Sequence, residues 1–329
     1  MLKYIREYKI ADMKDMIRNT KKQHLRSMES LQGKTAVIAG GTSGVGLSAV
    51  RVFAQYNCNL VLIARNEQKV KKLVDELQNE FKCTVVYYLA DFTILEEVHK
   101  AAERILKEVP SVDILINSAG IHSTRKIYTQ EGFESVFCVN YLAPFILTYR
   151  LITKLQQSPA ARIIQVNSQG HRFNGFNIND LNWKKRIYTG LRGYGASKTA
   201  QLLSVWEFAD RLEHTQITIN AMHPGEVKSN IGSNNGPLYR WFHDKVVSKS
   251  LKDVIISGES LHYLASAPEL STVSGMYFNL THPEKPAPHA LDRETGALLW
   301  GKTLALTGLS SEKIWMSSME EKIQCLKIL

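Results

Sequence analysis

Tyr194 and Lys198 stand one helical turn apart in Tyr194-Gly195-Ala196-Ser197-Lys198, within a stretch whose pattern predicts a helix. At that spacing a phenol and an ammonium share one face. A free phenol ionises near pH 10, leaving roughly one molecule in a thousand as phenolate at neutral pH. A neighbouring ammonium favours the phenolate and brings the group toward a useful acid/base range. Standing alone, such a pair would be an ordinary surface pair. Here Ser168 follows the apolar run 162–167, and Asn140 lies in Val139-Asn140-Tyr141 within an earlier helical stretch. Asn117-Ser118-Ala119-Gly120 closes another apolar run, and Pro224-Gly225 follows a third.

A second group of residues could hold phosphate. The first apolar run leads into Gly40-Gly41-Thr42-Ser43-Gly44-Val45-Gly46, and a helix is expected from near Leu47. Such a turn lets backbone approach a pyrophosphate and aims a helix N-terminus at its charge. The second run ends in Ile63-Ala64-Arg65-Asn66, with no acid to hold ribose hydroxyls and a guanidinium in its place. Arg65 can pair with a 2′-phosphate, so NADP(H) is favoured over NAD(H). Asp91, in Ala90-Asp91-Phe92, can accept from an adenine amino group or cap a helix beginning at Thr93. His171 and His223 are read as structural.

These residues need a scaffold. Short apolar runs at 35–39, 59–64, 84–90, 112–117, 162–167, 217–222 and 275–279 alternate with amphipathic stretches such as 66–81 and 93–109. Nearly continuous apolar strands are those covered on both faces, and strand–helix repetition implies right-handed crossovers. The expected architecture is α/β, one doubly wound domain over residues 31–310 with a parallel sheet of about seven strands. Residues 1–30 form a basic, helical extension with eight Lys and Arg against four acids, and Ile10, Met13 and Ile17 at helical spacing. That stripe suits peripheral contact with an anionic membrane or packing in a homodimer; the alternative is a helix docked on its own domain. Residues 311–329 form a short tail.

Composition narrows the classes. Hydrophobic content of 44% and charged content of 22% are ordinary for a protein with a full core. The net charge of +10 comes without a dense basic block interleaved with aromatics, so no nucleic-acid partner is expected. Cys58, Cys83, Cys138 and Cys325 are widely spaced, which excludes metal-ligand spacing and suits reduced thiols in the cytoplasm. No metal, signal peptide or spanning helix is expected.

The ordered set of motifs between residues 31 and 308 resembles the short-chain dehydrogenase/reductase family, whose fold is Rossmann-type. The resemblance implies Tyr194 as general acid/base, Lys198 as its partner and a hold on the nicotinamide ribose, Ser168 on the substrate oxygen, and Asn140 on a water. It implies cofactor contacts by Gly40, Thr42, Ser43, Gly44, Val45 and Gly46, by Arg65, Asp91 and Phe92, and by Asn117, Ala119 and Gly120. Pro224, Gly225 and Val227 would face the carboxamide. Two positions depart from the family pattern, Ala39 for threonine and Ser118 for asparagine. Ser168 and Tyr194 lie 26 positions apart, and the insert 173–192 between them, with Leu299-Trp300, is similar to the retinol-dehydrogenase-like branch. Leu238, Tyr239, Trp241 and Phe242, in 229–250, are expected to wall a pocket for a small apolar carbonyl or alcohol substrate. A catalytically silent NADP(H)-binding scaffold is the alternative, and the intact Asn140, Ser168, Tyr194 and Lys198 set argues against it.

Overall fold

The computed structural model describes residues 10–227 and 253–310. The pocket segment 229–250, the tail 311–329 and the first nine residues of the extension lie outside them. The parallel strands are β1 (Thr35–Ala39), β2 (Asn59–Ala64), β3 (Val85–Leu89), β4 (Ile114–Asn117), β5 (Ala161–Val166), β6 (Ile217–His223) and β7 (Tyr277–Asn279). The two-residue β8 (His282–Pro283) pairs antiparallel with β7, completing a sheet in the order β3-β2-β1-β4-β5-β6-β7-β8. The expected seven parallel strands are present, and β8 is the addition.

Alternation along each strand divides the core. Val37 and Ala39 face one apolar cluster, Ala36 and Ile38 the other. The first face is covered by α4 (Leu95–Glu108), α5 (Ser135–Leu155), α6 (Gly190–Arg211) and α8 (Arg293–Thr307), and the second by α2 (Gly44–Gln55), α3 (Glu67–Glu80) and α7 (Ile255–Ser266). In α4 the buried side chains are Leu95, Val98, Ala101, Ala102 and Ile105, one stripe at helical spacing. Local signals set several ends: Asn66 caps α3 through Lys69 N, Thr189 caps α6 through Arg192 N, and Gly308 closes α8 in the left-handed region. The α5 run is long and apolar enough to cross a bilayer, but it is mostly buried between sheet and helices.

Two segments frame the sheet. Helix α1 (Ile10–Lys21) lies on the β7–β8 edge, where Asn19 Nδ2 donates to Pro283 O at 3.1 Å and Lys285 pairs with Asp12 at 3.1 Å. Beyond it Leu25 N donates to Thr281 Oγ1, and Glu259 takes both His24 and Arg26, at 2.6 and 3.0 Å. Residues 10–30 therefore follow the docking alternative, with Ile17 left facing outward. The insert 173–192 wraps a fully buried Trp183, over which the Arg186 guanidinium sits at 4.0 Å while pairing with Asp180 at 3.0 Å. Tyr188 Oη then donates to Glu134 Oε1 at 3.3 Å, fastening the insert to the start of α5.

Candidate active site

Strand order reverses between β1 and β4, the switch point at which open α/β sheets bind their ligands. A cleft of about 870 Å³ runs along the ends of six strands, from Arg65 after β2 to Pro224 after β6. Its floor depends on Gly40, at φ +83°, where a Cβ would stand 2.7 Å from the Ala119 backbone. The β1 and β4 turns can touch because that atom is missing.

At the outer end Ser43 makes no side-chain cap, and among the described residues no side chain accepts from the first amides of α2, which line the cleft. The helix begins at Gly44, three residues before the sequence suggested, because the glycines themselves form its first turn. Arg65 is exposed and lies 3.9 Å from Asp91 Oδ2. Asp91 Oδ1 accepts from Thr93 N and Thr93 Oγ1 at 2.9 and 2.8 Å, the capping use weighed above, although α4 itself starts at Leu95. Lys69 also lines this end. Its position four residues after Arg65, in the first turn of α3, was a usable signal in the sequence.

The inner end is assembled from distant parts. Ser168 leaves β5 and caps a short 3₁₀ turn, its Oγ accepting from Gly170 N at 3.0 Å. The Tyr194 ring lies so close to this turn that a Cβ on Gly170 would stand 2.5 Å from its Cε1. Burial pushes the Tyr194 phenol up to about 12, opposed by its hydrogen bond with Ser168. The Lys198 ammonium is 5.9 Å from the Tyr194 ring centre and donates instead to Val166 O at 2.7 Å and Gln201 Oε1 at 3.3 Å. Burial lowers Lys198 to about 7. The one-turn spacing predicts an ammonium that draws the phenol down; in the fold the ammonium is held by β5 and its own helix, and Ser168 is the group that opposes the rise.

Gly40, Thr42, Ser43, Gly44, Val45, Gly46, Arg65, Asp91, Phe92, Ala119, Gly120, Ser168, Tyr194, Lys198, Pro224, Gly225 and Val227 all line the one cleft. Asn117 and Asn140 stand behind its wall, fully buried. Asn117 Nδ2 donates to Thr148 Oγ1 at 3.0 Å, so this side chain is turned into the core rather than toward a ligand. Asn140 sits in a π-helical turn of α5 (Cys138–Leu142) and clamps the β4 loop, donating to Ile121 O at 2.9 Å while accepting from Ile121 N at 2.8 Å. Its second amide proton goes to Ser197 Oγ at 3.0 Å. His171 is structural: its Nε2 accepts from Ala287 N, so Nδ1 carries the proton and donates to Ser168 O at 2.7 Å. His223 lines the cleft, with burial holding it down at about 4. His122, Glu226 and Lys69 in the lining, and Gly170 behind it, are among the site residues that sequence reasoning missed.

Comparison with known proteins agrees with this geometry. The family model described as short chain dehydrogenase matches residues 34–237. Human retinol dehydrogenase 13 is 31% identical over 296 residues, covering 88% of each chain. Human retinol dehydrogenase 14 is 30% identical over 302 residues, covering 85% of this chain and 88% of that one. Among solved structures, an uncharacterized protein from Mycobacterium paratuberculosis superposes with a TM-score of 0.71 at 24% identity, covering 88% of this chain and 100% of that one. A short chain dehydrogenase from Shigella flexneri complexed with NADP gives 0.63 at 20% identity, covering 77% of this chain and 99% of that one. The chain belongs to the short-chain dehydrogenase/reductase family of oxidoreductases, in its retinol-dehydrogenase-like branch.

Proposed function

We propose that this protein interconverts a carbonyl and an alcohol on a small apolar substrate with NADP(H), using Tyr194 as the acid/base. The observation that carries the reading is one cleft with Ser168 and Tyr194 brought together against Gly170 at its inner end and Arg65 with Lys69 at its outer end. A phosphate-bearing dinucleotide suits that cleft: Ser43 leaves the α2 amides uncapped, and Arg65 and Lys69 offer two cations that a 2′-phosphate could pair with. When bound, the nicotinamide supplies or takes up hydride.

The protein's own part is to hold and protonate an oxygen. With its phenol near 12, Tyr194 keeps its proton through the neutral range. An oxygen becoming alkoxide is a stronger base than phenolate, so Tyr194 Oη gives up that proton as charge develops. Ser168 Oγ, fixed by Gly170 N beside the Tyr194 ring, holds the oxygen next to the phenol. Relatives named retinol dehydrogenases support an apolar substrate class.

The test is NADPH consumption with retinal, long-chain aldehydes and steroid ketones, set beside pyruvate. The apolar compounds are expected to turn over faster. Pyruvate as the best substrate would overturn the apolar assignment, and tight NADPH binding without turnover of any carbonyl would leave a cofactor-binding scaffold.

A further inference from the structure

Behind the inner end of the cleft runs a chain of buried polar side chains. Lys198 Nζ donates to Gln201 Oε1 at 3.3 Å, Gln201 Nε2 donates to Gln165 Oε1 at 3.2 Å, and Gln165 Nε2 donates to Thr148 Oγ1 at 3.0 Å. Lys198, Gln201, Gln165 and Thr148 are each 3% exposed or less. The four come from α6, β5 and α5, three elements of one face of the sheet. Every donor in the chain points away from the ammonium, so each amide presents its negative end toward Lys198. A second contact fixes the sense of the Gln201 amide, because Asn167 Nδ2 also donates to Gln201 Oε1, at 2.8 Å.

We propose that Gln201, braced by Gln165 and Thr148, is the positioning residue that holds the Lys198 ammonium charged and leaves one of its N–H bonds directed at the cleft. An ammonium has three protons. Val166 O takes one and Gln201 Oε1 a second, and the nitrogen then stands beside Gly120, where a Cβ would be 4.0 Å from it. The third proton faces the cleft wall. The alternative to this arrangement is a buried ammonium with one acceptor, which loses its charge readily. Burial already lowers Lys198 to about 7, so one acceptor more or less moves its charge across the working range. Tyr194 is the titratable neighbour on its own helix. From the other elements lining the cleft, the titratable and charged side chains are His122 after β4, His223 and Glu226 from β6 onward, and Arg65, Lys69 and Asp91 at the outer end.

The role rests on Lys198 being the working ammonium of the proposed function, and it is tested without a substrate. NADPH affinity is titrated across pH by nicotinamide fluorescence for the unaltered protein, Gln201→Met and Gln201→Glu. Affinity falls as pH rises through the Lys198 ionisation, and apart from the carboxyl that Gln201→Glu introduces the titrating groups are common to all three proteins. Gln201→Met removes the acceptor, and its fall is expected about one pH unit lower, roughly a tenfold loss of affinity per unit. Gln201→Glu places a carboxylate against the ammonium and moves the fall at least one unit higher. Opposite movements by two near-isosteric variants are not what a packing defect produces. Should Gln201→Met fail to fold, Gln201→Leu takes its place as the variant without an acceptor. A fall that does not move overturns the positioning role. Turnover of Tyr194→Phe separates this from the functional reading: if that variant stays active while the fall moves as described, the acid/base assignment fails and the positioning role stands.

Discussion

At the outer end of the cleft the groups that would meet a phosphate are exposed side chains on short local elements. Arg65 is 65% exposed and its pair with Asp91 spans 3.9 Å, a contact of little energetic weight that leaves the guanidinium able to turn to a ligand. At the inner end Lys198 is 3% exposed and each of its neighbours is committed to another buried group. The contrast separates recognition from chemistry. An exposed cation can be exchanged with little disturbance to the fold, whereas a half-satisfied buried network destabilises everything it touches.

The largest effect is expected where the inner end is most crowded. Gly170→Ala places a methyl against the Tyr194 ring, and since ring and turn cannot both stay in place, the phenol must move off Ser168. Turnover should fall a hundredfold or more, the scale of a lost acid/base contribution, with NADPH affinity little changed. Steady-state rates beside a cofactor titration check this; an active Gly170→Ala would show that the close approach does not position the phenol.

Acid should loosen the inner end next. His223 is lowered in the fold to about 4 from an ordinary 6.5, so the fold favours its neutral form. Its contribution is present above 6.5 and lost as pH falls from there toward 4, on the order of 3 kcal/mol in full. His171 is lowered in the same sense. Urea unfolding at pH 7 and pH 4.5 should show a smaller loss for His223→Gln, which cannot charge. Identical losses in the two proteins would remove His223 from the account.

The outer end should yield the smallest effect on turnover. Replacing Ala64 by Asp and Arg65 by Ser exchanges a phosphate partner for a hydroxyl acceptor. The unaltered protein should prefer NADPH over NADH at least tenfold, about 1.4 kcal/mol, and the double variant should reverse that order. Calorimetry giving NADH equal or tighter binding to the unaltered protein would break the contrast from this side.

The two ends also differed in how far they could be read from the sequence. The glycine spacing from Gly40 to Gly46 and the Ala64-Arg65 strand end are local signals, and the structure places both where the spacing implied. The strands were legible because most run as continuous apolar stretches; β8 was not, because two residues carry no pattern. At the inner end Tyr194 and Lys198 were visible one turn apart, but the partners of Lys198 were not. Gln201 meets Gln165 across 36 positions and Gln165 meets Thr148 across 17, contacts that exist only once α5, α6 and β5 have packed. Asn117 was expected at the cofactor for the same reason in reverse: its place at the end of β4 was legible, its turn toward Thr148 was not. Gly170 gave no signal, since what requires it is the ring of a residue 24 positions on.

The central claim is that Tyr194 supplies the proton, and Tyr194→Phe tests it most directly. That change removes one oxygen and keeps the ring that packs on Gly170. Stopped-flow reduction of an accepted apolar carbonyl should slow at least a hundredfold, while NADPH titration of the same sample gives an unchanged affinity. A variant that keeps most of the original rate would contradict the account.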